Sequence, residues 1–224
     1  MEAPRLPAAV LAAAADRQGG ALEVAATALD GLLEVAADRE RLEEAVAVLE
    51  AGQPAMAPIW HLAAAARSPD PPSALAALRV SLTADADAAV DAATAWLLDR
   101  LAAHPGGGHP GGMATVSHSS LVDRVLAQIG PTGGDPVVGV AGADAIGPDG
   151  ILNAVGTRVL AEEVPTLVVA TAVKLVPAEV FGRLGGPGFE VVPLEAVAAV
   201  VVGAEVLSPG EAGRRAEAVS RGRP

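Results

Sequence analysis

The residues best suited to chemistry lie between Gly142 and Thr157, in the string Gly142-Ala143-Asp144-Ala145-Ile146-Gly147-Pro148-Asp149-Gly150-Ile151-Leu152-Asn153-Ala154-Val155-Gly156-Thr157. The string follows an apolar run, Val137 to Val140. Asp144 is thereby placed just past the carboxyl end of a strand, where open α/β sheets hold their ligands. There Asp144 reads either as part of a binding site or as a carboxylate capping the following turn. Glycines at 142, 147, 150 and 156 allow sharp turning and close approach to a ligand. Asn153 and Thr157 are four apart, so on a helix their polar ends share one face of its first turn. A helix amino terminus beside a carboxylate suits a small, polar, phosphorylated molecule. A second polar turn, Ser117-His118-Ser119-Ser120, is able to hold a phosphate on backbone amides.

Several segments together resemble a known family. The Gly142–Thr157 string is similar to the "GAD…NG…NKIGT" segment of the translation initiation factor 2B alpha/beta/delta family, which includes methylthioribose-1-phosphate and ribose-1,5-bisphosphate isomerases. Asp16-Arg17-Gln18-Gly19-Gly20-Ala21 resembles its "DR-SGA" turn, and Gln53-Pro54-Ala55-Met56-Ala57-Pro58 its "RP-MAP" helix start. Thr115-Val116-Ser117-His118-Ser119-Ser120-Leu121-Val122 resembles the "T-SYSS-V" turn of its regulatory subunits. Phe189 to Pro193 and Val206 to Pro209 resemble its closing segment. The resemblance implies a Rossmann-like sheet, a dimer formed through the α/β half, and Asp144 as an acid/base. It also matches Lys174 to a family lysine able to neutralise a phosphate; an ordinary solvated lysine is the other reading.

The departures bear on activity. Ser117 stands where the isomerases carry a cysteine, and the chain has no cysteine. A hydroxyl does not act as acid or base near neutral pH without an adjacent activating base. Ala154 replaces a family lysine, and Gln53 stands where relatives often have arginine. Between Ile129 and Pro136 there is no room for the further strand and helix of the family, because a strand-helix-strand unit needs ~30 residues. These departures point to a non-catalytic protein that binds a small phosphorylated metabolite or serves as an assembly subunit. The alternative is aldose–ketose isomerisation of a sugar 1-phosphate, with Asp144 as one acid/base and His118 or Ser117 as the second.

The elements that must position these residues are read as follows. Residues 1–103 form a helical domain, with Gly19-Gly20, Gly52 and Pro69 to Pro72 as its punctuation. Pro54 opens one helix, and Ser73 caps a long last one. The alternation Ala84-Asp85-Ala86-Asp87 reads as the solvated side of that helix. Residues 104–112, rich in Gly, Pro and His, form a linker; His104 and His109 lack a third ligand for a metal. Residues 113–211 form a trimmed Rossmann-like domain of the α/β class. Its strands lie at 114–117, 137–140, 166–170, 190–192 and 198–202, with helices at 121–128 and 153–163. Near-continuous Val/Ala runs suit a mostly parallel sheet covered on both faces. Residues 212–224 form a frayed basic tail.

A net charge of −12 over 224 residues argues against direct nucleic-acid binding. No apolar run approaches the ~20 residues of a membrane helix, and Pro4 to Ala15 lacks the pattern of a leader. A cytoplasmic homodimer without metal or cofactor is expected.

Overall fold

A computed structural model describes residues 6–103, 111–116 and 119–219. Five helices come first: α1 (Ala8–Ala15), α2 (Ala21–Val35), α3 (Arg39–Gly52), α4 (Ala57–Ala66) and α5 (Pro71–Ala102). Their apolar positions meet in one cluster that includes Val10, Leu32, Leu49, Leu62 and Leu75. Aromatic residues make up 2% of the chain. Small alanine contacts therefore bring the helices close, and the aliphatic side chains fill the space between them.

Two helix starts differ from expectation. Asp70, not Ser73, caps α5: its Oδ1 accepts the backbone N–H of Ser73 at 3.3 Å. The reason is that Pro71 and Pro72 have no N–H to offer, so Ser73 carries the first free donor. Pro54 lies in a turn before α4, which begins at Ala57 with Pro58 in its first turn.

The second half alternates: β1 (Gly112–Ala114), α6 (Ser120–Ile129), β2 (Pro136–Ala141), β3 (Ala145–Ile146), β4 (Gly150–Ala154), α7 (Thr157–Glu163), β5 (Thr166–Ala170), α8 (Ala178–Phe181), β6 (Phe189–Pro193), β7 (Ala199–Val202), β8 (Glu205–Leu207) and α9 (Pro209–Ala218). The larger sheet has the order β1-β2-β5-β7-β8; its first four strands are parallel, and β8 returns antiparallel. That turn passes through Gly203 at φ +56, a conformation that favours glycine. Both faces are covered. Ala89, Ala93 and Leu97 of α5 pack with α6 on Val140, Val169 and Val201. Ala212 and Ala216 of α9 pack with Val168, Val200 and Val202 on the other face. No strand or helix intervenes between α6 and β2.

A smaller antiparallel sheet, β3-β4-β6, was not anticipated. The helix expected from Asn153 begins only at Thr157. Gly150 to Ala154 pair along their whole length with Phe189 to Pro193, so their ladder is satisfied between strands rather than along a helix. Gly156, at φ +107, then turns the chain into α7, and Glu190 Oε1 accepts the N–H groups of Gly156 and Arg158 at 2.8 and 2.9 Å. The strand expected at 114–117 lies earlier, from Gly112 to Ala114.

Over residues 212–218 the expected frayed tail is corrected, because Pro209 to Ala218 form a capped and packed helix; residues 220–224, with Arg221 and Arg223, lie outside the described residues. Ser208 and Glu211 cap each other, and Arg215 makes two bonds to Glu205 at 3.0 and 2.7 Å. Gly213 is required because a Cβ there would strike the carbonyl oxygen of Pro148. The expected linker falls mainly outside the described residues, with both of its histidines. The helical cluster extends along α5 to Leu82 and the sheet cluster begins at Ala86, so one helix carries both. Among the described residues no helix is long and apolar enough to cross a membrane.

Candidate functional site

β2 and β5 are parallel neighbours, and the residues just past their carboxyl ends open onto one cavity of about 460 Å3. Gly142 and Asp144 follow β2, and Lys174 ends a short 3-10 turn, Ala172–Lys174, after β5. The helical half closes the opposite side through the α1–α2 turn at Asp16 to Gly20 and the α3–α4 turn at Gln53 to Met56. Ser119 and Ser120, at the start of α6, complete the wall with Asn153 of β4. Segments scattered from residue 16 to residue 189 are thus brought into one pocket.

The backbone at the two central residues is fixed. Asp144 donates its N–H to Leu152 at 2.9 Å, and its carbonyl accepts Ala57 N–H at 3.2 Å, which ties the sheet to α4. Around Lys174, Ala172 N–H donates to the Asp85 carboxylate of α5. His61 bonds the Leu175 carbonyl at 2.8 Å, and Val176 N–H donates to Ile146 at 2.9 Å. The turn bearing Lys174 is therefore held from α4, α5 and β3 together.

Lys174 is 3% exposed. Its ammonium makes no hydrogen bond or ion pair with any described residue, while its chain lines the cavity. Burial pushes its pKa down to about 8, and the nearby Asp144 carboxylate opposes the shift. Asp144 is half-buried; burial pushes its pKa up, and Lys174 opposes that. Both groups are driven towards their neutral forms by the same lack of water. Lys174 is also the only lysine among the 15 lysine and arginine residues of the chain. Of the two readings offered for Lys174, the solvated one is overturned.

Asn153 and Thr157 do meet, across a strand-to-helix turn rather than along one helix. Asn153 Nδ2 donates to Thr157 Oγ1 at 3.0 Å, and that hydroxyl donates to the Ala154 carbonyl at 2.9 Å. Asn153 lines the cavity, whereas Thr157 is fully buried and outside its wall. Ser119 occupies the cap position of α6 without a side-chain capping bond, so the first amides of that helix lack one of their usual partners. Ser117 and His118 lie outside the described residues. Among the described residues no cluster of His, Asp and Glu is arranged to hold a metal ion.

Gln53 is structural. Its Nε2 donates to the carbonyls of Ala13 and Asp16 at 2.7 and 2.6 Å, closing the end of α1 against the cavity rim. Gln53→Leu strands the buried carbonyl of Ala13, while that of Asp16 keeps the Arg17 guanidinium at 2.9 Å. A loss of about 1–3 kcal/mol is expected in urea unfolding; an unchanged midpoint would show these bonds to be dispensable.

Sequence reasoning missed Arg17 at the cavity mouth, the wall formed by Gly185 to Pro187, and Asp85 behind the Lys174 turn.

The chain matches no protein-family model and no curated protein sequence. Its likeness is to solved structures. The translation initiation factor eIF-2B of Pyrococcus horikoshii OT3 is 15% identical, with a TM-score of 0.68 over 91% of this chain and 96% of that one. The tetrameric eIF2B-beta2-delta2 complex of C. thermophilum gives 15% identity and a TM-score of 0.66 over 92% and 91%. The 5-methylthioribose 1-phosphate isomerase of P. horikoshii OT3 gives 13% and 0.53 over 94% and 87%. The fold expected from the sequence, a helical half followed by a mostly parallel sheet of the initiation factor 2B and isomerase type, is the fold observed.

Proposed function

We propose that this chain is an initiation factor 2B-like protein whose cavity binds a small phosphorylated metabolite without turning it over. The observation that carries the reading is Lys174, a buried cation that lines the cavity and makes no hydrogen bond or ion pair with a described residue. Such a group is costly to bury unless something completes its hydrogen bonds. A phosphorylated polyol supplies what is missing: an anion for the start of α6, and hydroxyl or carbonyl oxygens for Lys174, Asp144 and Asn153. The absence of cysteine and the alanine at 154 support binding over turnover.

A thermal-shift series against sugar phosphates and nucleoside monophosphates tests it. A ligand at 100 times its dissociation constant should stabilise the protein by about 2.7 kcal/mol, and Asp144→Ala should reduce that gain. No shift with any compound would sink the reading and leave an assembly role.

One observation favours a second reading. Asp144 and Lys174 line one cavity, and burial shifts both towards their neutral forms, so the site offers a carboxyl and an amine, groups of the kind aldose–ketose isomerisation requires. Ketose formed from ribose 1,5-bisphosphate or methylthioribose 1-phosphate above an Asp144→Ala control would establish catalysis; its absence would support binding alone.

Assembly as a cytoplasmic homodimer belongs to the same proposal. Exposed Val116, Val155, Val159 and Val191 surround the β4–α7 turn and offer apolar area to a second copy. A monomer at micromolar concentration in light scattering would overturn that part.

A further inference from the structure

We infer that Lys174 is the amine of a carbonyl-capture site, which holds the open-chain aldehyde of a small phosphorylated compound as an imine while Asp144 serves as the proton donor. The inference rests on the proposed phosphorylated ligand and names its class: an aldose phosphate reacting through its open-chain form. Three observations lead to it. The side chain lines a cavity large enough for a five-carbon phosphate, yet it is 3% exposed and makes no bond to a described residue. Asp144, just past the end of the adjoining strand, lines the same cavity. Every other strongly basic side chain of the chain is an arginine, which stays protonated and cannot act as a nucleophile. Desolvation is the usual way to prepare a lysine for this chemistry, and at pH 7.5 a pKa of about 8 gives a neutral fraction roughly two-hundredfold that of an ordinary lysine.

The step balances within the site. The lone pair of Lys174 Nζ attacks the aldehyde carbon, the carbonyl π pair moves to oxygen, and one nitrogen proton passes to that oxygen to give a carbinolamine. The Asp144 carboxyl then protonates the hydroxyl, the C–O bond breaks, and water leaves as the nitrogen lone pair forms the C=N bond. The products are a protonated imine, a carboxylate and one water. The iminium and the Asp144 carboxylate neutralise each other in place, which stabilises the adduct in a site poor in water. The phosphate lies at the start of α6, where Ser119 provides no capping bond.

The test uses D-erythrose 4-phosphate, an open-chain aldehyde, with D-erythritol 4-phosphate as its carbonyl-free match. The full-length protein is incubated with the aldehyde and sodium cyanoborohydride at pH 7.5, and the adduct is located by intact-mass and peptide mass spectrometry. One adduct per chain is expected on Lys174, with the mass of the aldehyde less one oxygen. It should form roughly a hundredfold faster than in the chain unfolded by denaturant, be suppressed by excess erythritol 4-phosphate, and be lost in Lys174→Arg and Lys174→Met. An adduct on the terminal amine alone, or one on Lys174 no faster than in the unfolded chain, overturns the inference. A thermal shift with erythritol 4-phosphate separates the failures. With that shift and no Lys174 adduct, the imine is wrong and the pocket stands; with neither, both fall.

Discussion

Lys174→Met should leave the ligand-free protein more stable at pH 7 than the parent, and unable to bind a ligand that depends on the amine. Met keeps the length of the buried chain and removes a charge that makes no hydrogen bond or ion pair with a described residue. The pH dependence gives the sharper test, and its sign follows from proton linkage. The pKa of Lys174 is about 8 in the folded protein against an ordinary 10.5. Between those values the unfolded chain holds a proton that the folded chain has released, so parent stability must rise with pH across this window. The rise amounts to on the order of 3 kcal/mol and ends above the unfolded pKa; as pH falls through 8 the contribution is lost. The titratable groups facing the cavity are Asp16, Arg17, Asp144 and Lys174, with His61 behind the turn. Of these, Lys174 and Asp144 act on each other's titration.

Asp144 works in the opposite sense. Its folded pKa is raised, so its contribution is present at low pH and fades as pH rises through that value. Removing Lys174 removes the cation that restrained this shift, so the gain of Lys174→Met at pH 7 is smaller than the full amount, and Lys174→Met/Asp144→Asn should recover the difference. Urea unfolding from pH 7 to 11 decides the matter. Parent and variant curves that run parallel between pH 8 and 10.5 would show Lys174 to be an ordinary solvated lysine.

The fold was legible where local pattern and tertiary environment agree. Thr166 to Ala170 and Ala199 to Val202 read as buried parallel strands because nothing polar interrupts them, and the structure covers both their faces. Gly150 to Ala154 did not, because the pairing that makes them a strand comes from Phe189 to Pro193, far along the chain, while the next residues do form a helix. The last helix was hidden by its arginines: its packed side consists of Ala212, Gly213 and Ala216, which are small and carry little apolar area. In the cavity wall, Asp144, Asn153, Ser119 and Ser120 were legible as polar residues in a glycine-rich and polar context. Asp85 was invisible because its service is to Ala172, 87 residues away. Lys174 was found by resemblance, but its burial is set by contacts of the turn with α4, α5 and β3 that no local pattern encodes.

Leu97→Ala should give the largest loss of stability of the substitutions considered, about 2–5 kcal/mol. Leu97 is fully buried where α5 lies across the parallel strands, among Val140, Leu167 and Val201. A cavity there cannot close, because α5 is pinned at its other end by Leu75 in the helical cluster. The neighbouring Leu98 is 48% exposed, and Leu98→Ala should change stability by no more than about 0.5 kcal/mol. Since α5 belongs to both clusters, Leu75→Ala and Leu97→Ala should each lower one cooperative transition with an unchanged denaturant slope. The cavity walls also come from both halves, so a bound phosphorylated ligand should add the same increment to either variant. Two separate transitions, with only the later one raised by ligand, would show that the halves unfold independently and that the sheet alone forms the pocket.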